Sequence, residues 1–120
     1  MKRVHLGVLA ALLSLGLAGP AFAHAHLTSS MPAPDAVVAA PASLRLSFSE
    51  GLELRFTGIK LTGPDGVAVP TGDAALDPDG TTLIVPVTGA LPAGAYTVDW
   101  HALSKDGHTT HGRYVFTVGP

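Results

Sequence analysis

Apolar and polar residues alternate through much of this chain with the period of two that marks strands lying on a core. In Ser43-Leu44-Arg45-Leu46-Ser47-Phe48 the residues Leu44, Leu46 and Phe48 share one face. Tyr96, Val98 and Trp100 alternate in the same way with Thr97, Asp99 and His101, and Tyr114, Phe116 and Val118 repeat the pattern near the end. The pattern predicts strands near residues 24–29, 43–48, 58–62, 67–70, 82–87, 95–103 and 112–118. Between them stand turn sequences with a clear mechanism. In Pro64-Asp65-Gly66 and Asp77-Pro78-Asp79-Gly80, proline presets φ and glycine accepts a positive φ. Helical periodicity is scarce. About seven short strands, each with one apolar face, predict an all-β chain folded as a two-sheet sandwich. Leu91-Pro92-Ala93-Gly94-Ala95-Tyr96 is similar to the tyrosine corner of immunoglobulin-like sandwiches, in which a Tyr hydroxyl bonds back across a corner.

The first residues follow a different pattern. Met1-Lys2-Arg3 is positively charged, residues 8–18 are an apolar run, and Ala21-Phe22-Ala23 has the small-x-small form that a signal peptidase reads. Together they read as a secretory signal cleaved after Ala23. The apolar run is short for a membrane span and no second one follows, so no stable membrane insertion is expected after cleavage. Residues 24–120 then form one domain, enough for a single core.

Composition narrows the chemistry. Once Lys2 and Arg3 are gone, five basic residues face nine acidic ones, a formal net charge of −4. A mildly acidic domain lacks the basic patches that nucleic acid demands, so no nucleic-acid partner is expected. There is no cysteine, which excludes disulfides, zinc-thiolate sites and catalytic thiols.

Five histidines follow the cleavage point: His24, His26, His101, His108 and His111. His24 becomes the first residue, so its free amine and its imidazole can close a chelate ring on one metal. Two donors fixed on one residue lower the ordering cost of binding, and both lose protons to a metal readily near neutral pH. Asp106-Gly107-His108, in the turn between the last two strands, adds a carboxylate and a second imidazole. Gly107 lets the backbone bend so that both side chains can face one point. A nitrogen-rich donor set with one oxygen suits Cu(II), whereas Cu(I) prefers thiolates and thioethers. Met31 is the only methionine after the signal. The metal ligands expected are therefore His24, Asp106 and His108, with Cu(II) as the ion.

Three other residues stay in view as alternative ligands or as groups that orient one. His26 could instead take part in a wrapped-peptide mode with the amine and two deprotonated amides. On a strand, however, it would share a face with His24. His101 lies near the end of its strand, and Glu50 follows Phe48-Ser49. His111 most simply begins the last strand. Ser104, Asp106 and His108 are too close in sequence for a nucleophile triad, and no oxyanion-hole motif is visible.

These same residues carry a family resemblance. His24-Ala25-His26-Leu27, Ser47-Phe48-Ser49-Glu50, Leu91-Pro92-Ala93-Gly94-Ala95-Tyr96-Thr97-Val98-Asp99-Trp100 and Ser104-Lys105-Asp106-Gly107-His108 stand in order over essentially all of residues 24–120. In them the chain resembles the CopC-like periplasmic copper-binding proteins, especially the short YobA-like members. The resemblance implies a Greek-key β-sandwich or barrel and a periplasmic role in copper homeostasis or resistance. It also implies a Cu(II) site at His24, Asp106 and His108, and a CopD-like membrane copper transporter as partner. The methionine-rich Cu(I) loop of the first-described members is missing, since residues 61–67 hold no Met. The function expected is that of a Cu(II) carrier or buffer without catalytic turnover. Two competitors have different signatures. A copper-dependent oxidative enzyme with an N-terminal His site would need an open, flat face with exposed aromatics. A metal-free immunoglobulin-like interaction module would bind Cu(II) no better than a generic His-containing peptide.

Overall fold

The computed structural model describes residues 24–120, so the expected signal segment lies outside the described residues. Among the described residues eight strands form two four-stranded sheets. One has the order β1 (Leu27–Met31), β3 (Ser43–Phe48), β6 (Thr82–Pro86), β5 (Ala75–Leu76). The other has the order β2 (Val37–Val38), β8 (Thr109–Val118), β7 (Gly94–Leu103), β4 (Gly58–Thr62). Neighbours pair antiparallel except β2 and β8, which are parallel. Only β5–β6 and β7–β8 are hairpins within one sheet; every other connection crosses to the opposite layer. The result is an all-β sandwich, as the alternation predicts.

The core fills the space between the inner faces. Leu44, Leu46 and Phe48 of β3 and Leu83 and Val85 of β6 meet Val98, Trp100 and Ala102 of β7 and Phe116 and Val118 of β8, all buried. Each such large side chain contributes about 1.5–3 kcal/mol when taken out of water. The tyrosine corner forms: the Tyr96 hydroxyl donates to the Pro92 carbonyl at 2.5 Å, and its ring stacks on Phe116. Trp100 meets Phe48 edge-on, with ring centroids 5.1 Å apart, and its other side lies over Gly112, its cross-strand partner. A Cβ on Gly112 would stand 2.5 Å from Trp100 Cζ2, so only glycine leaves room for the indole.

The structure departs from the sequence pattern in four places. β1 begins at Leu27 rather than at residue 24, because the Ser49 hydroxyl takes the His26 N–H that a ladder would otherwise use. Residues 67–70 form no strand. They are tied to the end of β4 by a Thr62–Ala68 bridge and by bonds from Val69 N–H to the Leu61 carbonyl and from Gly63 N–H to the Val67 carbonyl, and Pro70, which has no N–H, ends that pairing. β2 and β5 are two residues each, too short to show a period. β8 starts at Thr109, three residues before the expected position, so His111 lies inside the strand.

The β7–β8 hairpin positions the candidate site. Its register is unbroken from Gly94–Val118 to Leu103–Thr109, which carries the turn at Ser104–His108 to one pole of the sandwich. No helix among the described residues is long and apolar enough to cross a membrane.

Candidate metal centre

Two anchors bring residue 24 to the pole where the hairpin turns. Ala25 is fully buried, and its carbonyl accepts a 2.6 Å hydrogen bond from the Thr110 hydroxyl at the start of β8. On the other side, the Ser49 hydroxyl accepts the His26 backbone N–H at 3.1 Å. It also lies 3.1 Å from the His24 carbonyl and 3.0 Å from His26 Nδ1. The Ser49 N–H donates to the His26 carbonyl at 3.0 Å. Residues 24–26 are thus held between β3 of one sheet and β8 of the other, with Ala25 inward and both histidines exposed.

The same stretch after β3 holds the hairpin turn. The Lys105 N–H donates to the Gly51 carbonyl at 2.9 Å, and Leu52 bridges Ser104. Within the turn Gly107 has φ 91°, a conformation that favours glycine. Ser104 is almost completely buried, and its hydroxyl donates to Asp106 Oδ1. The hydrogen bond from Ser104 is the largest influence on the Asp106 carboxyl; desolvation opposes it, and hydrogen bonds from His108 add to it, so the carboxyl stays below the ordinary carboxylate range. The turn therefore presents an ionised carboxylate.

His108 Nδ1 is 3.2 Å from Asp106 Oδ1. Two donors about 2.1 Å from one ion, at a right angle, stand about 3 Å apart, so this pair is spaced like neighbouring ligands. The His24 ring stacks on the His108 ring, with centroids 4.4 Å apart and planes 23° from parallel. The sequence thus brings together residues more than 80 positions apart, and Asp106, His108 and His24 line one pole. Among the described residues no three His, Asp or Glu side chains already converge on one point, so the stacked rings must turn for His24 and His108 to share an ion.

The alternative residues differ in where they lie. His26 lies at the same pole with its ring held by Ser49. Glu50 stands between Ser49, which holds His26, and Gly51, which holds Lys105, and its carboxylate makes no hydrogen bond or ion pair among the described residues; the Lys105 ammonium pairs with Glu53 instead, at 3.0 Å. His101 is on the outer face of β7, opposite Gly58 on β4 and His111 on β8. Sequence reasoning missed the supporting hydroxyls of Ser49, Ser104 and Thr110. Ser104 carried a signal, since it stands two residues before Asp106 and four before His108; Ser49 stands in a motif of the family resemblance, but no local pattern reveals its partner or that of Thr110, which are 23 and 85 positions away.

Comparison with known proteins agrees with this architecture. The family model described as the CopC domain matches residues 27–119. Protein YobA of Escherichia coli (strain K12) is 48% identical over 111 residues, which span 90% of this chain and 90% of that protein. Copper resistance protein C of Escherichia coli is 38% identical over 128 residues, covering 98% of this chain and 99% of that protein. The crystal structure of PcoC, a methionine-rich copper resistance protein from Escherichia coli, superposes with a TM-score of 0.72 at 42% identity and covers 80% of this chain and 99% of that one.

Proposed function

This chain belongs to the CopC domain family, and from that membership we propose that it is a periplasmic Cu(II) carrier or buffer that serves copper resistance without catalytic turnover. Copper is its cargo. The ligands are the amine and imidazole of His24, freed by cleavage after Ala23, with the Asp106 carboxylate and a His108 imidazole nitrogen. The observation that carries this reading is the stacking of His24 on His108, beside the ionised Asp106. The donor set fits Cu(II), an ion that favours nitrogen and oxygen in a tetragonal arrangement. It does not fit Cu(I): the chain has no cysteine, and Met31, at the far end of β1 from His24, is the only methionine after the proposed signal. PcoC is described as methionine-rich, and this chain departs from it in that respect. A membrane copper transporter resembling CopD is the partner proposed for the bound ion.

Replacing His108 tests the reading. His108→Ala should weaken Cu(II) binding by about 100-fold or more, beyond the roughly tenfold to 100-fold loss from removing a group that merely orients a ligand. Its electron paramagnetic resonance spectrum should also change. His26→Ala should do neither. The reverse pattern, with only His26→Ala altering affinity and spectrum, would establish the wrapped-peptide mode instead.

Ser104 gives a separate expectation. Its hydroxyl is the largest influence holding the Asp106 carboxyl low, and it also fixes the turn through the His108 backbone. Ser104→Ala should lower Cu(II) affinity by roughly 10–100-fold, with Ser104→Thr recovering part of the loss. The deficit should widen as pH falls, because the Asp106 carboxyl then takes up protons at a higher pH than in the parent. Competition titrations at two pH values read this out; equal affinity of parent and variant at both would remove Ser104 from the account.

A further inference from the structure

The outer face of the β2-β8-β7-β4 sheet carries a second pair of histidines. His101 on β7 and His111 on β8 are direct cross-strand partners, and both are exposed. Their spacing follows from the hydrogen-bond pattern of the hairpin. The Ser104 N–H donates to the His108 carbonyl, so Ser104–His108 is a hydrogen-bonded pair. Such pairs alternate with non-bonded ones along an antiparallel ladder. Leu103–Thr109 is then non-bonded, Ala102–Thr110 bonded, and His101–His111 non-bonded. The carbonyl of Leu103 confirms the phase, because it accepts from Glu53 on the opposite side of β7. Non-bonded partners are the closer kind, with Cα atoms about 4.5 Å apart and side chains on one face. Two imidazoles at that spacing can place one nitrogen each on a single ion.

We propose that His101 and His111 form a second divalent-metal site, of the Cu(II) or Zn(II) class that favours imidazole, with water completing the coordination. It lies on the side of the sandwich, in a shallow groove whose walls include Ile59 and Lys60 of β4. The next row along the sheet is Lys60, Asp99 and Arg113, and the Asp99 carboxylate is engaged by Arg113 Nε at 2.6 Å. That leaves the two imidazoles as the donors. In the structure the His101 ring leans over Gly58: its Cε1 would be 3.3 Å from a Cβ there. Binding requires the ring to swing from Gly58 toward His111 by a change of side-chain rotamer, which both residues' exposure permits. This makes the site weaker than one whose donors are already convergent, and suits it to taking up metal in excess of the first equivalent.

The test is a Zn(II) titration of isotopically labelled protein with one extra residue retained before His24, so that the polar-end chelate is disabled. Imidazole resonances report each histidine separately. The expected result is that His101 and His111 shift together and saturate at one shared equivalent. His101→Ala and His111→Ala should each weaken that event by at least tenfold, with circular dichroism unchanged. Independent titration of the two rings, shifts confined to His24, His26 and His108, or an unaltered affinity in either variant would overturn the proposal. Failure of the copper reading would show differently, as a Cu(II) affinity indifferent to the extra residue.

Discussion

A chain that keeps one additional residue ahead of His24 should bind Cu(II) at least about 1,000-fold more weakly than the chain that begins at His24. The added residue turns a primary amine into an amide and so removes the chelate ring proposed for His24. Losing a group that only orients a ligand costs roughly 10–100-fold, and removing a donor together with its ring must cost more. The fold should not change. Ala25 remains buried with its carbonyl on Thr110, and His26 remains bonded to Ser49 through backbone atoms that the extension does not touch. Thermal unfolding without metal should therefore match between the two forms, while competition with a chelator of known affinity separates them. Equal affinities would mean that the amine is not a ligand.

Gly112→Ala should lower the melting temperature by at least about 4 °C. The new Cβ would sit 2.5 Å from Trp100 Cζ2, inside any acceptable contact, and Phe48 blocks the ring from retreating. Overpacking of this kind costs about 1–3 kcal/mol, and for a domain of this size each kcal/mol shifts the midpoint by about 4–8 °C. Trp100 is the single tryptophan, so its fluorescence reports the displacement directly. Gly112 is also two residues from Thr110, the anchor of Ala25, so a shifted β8 should loosen the segment that presents His24. An unaltered melting temperature and emission maximum would show that the indole has space that the structure denies it.

Much of this architecture is written in local pattern. β3, β7 and the end of β8 alternate strictly because one face of each is buried, and a period of two is visible wherever burial is one-sided. The Tyr96 corner is legible for the same reason, since its motif and its hydrogen-bond partner are neighbours in sequence. What escapes is fixed by distant groups. Val67-Ala68-Val69 has strand composition, yet Pro70 cuts its pairing short and leaves one bridge to Thr62. Val37–Val38 becomes a strand only because β8 offers a parallel edge. At the site, His24, Asp106 and His108 stand out by chemistry alone. Their meeting at one pole depends on the Ser49 and Thr110 hydroxyls, which bond across 23 and 85 positions, so no local pattern shows their partners.

In the proposed complex one Cu(II) ion bridges the processed end of the chain and the β7–β8 turn. Anomalous diffraction at the copper edge, from crystals of the chain beginning at His24 loaded with one equivalent, tests it most directly. A single peak is expected within bonding distance of the His24 amine and imidazole, an Asp106 oxygen and a His108 nitrogen. A peak enclosed by the amides of residues 24–26 and the His26 ring, with Asp106 and His108 left uncoordinated, would contradict it.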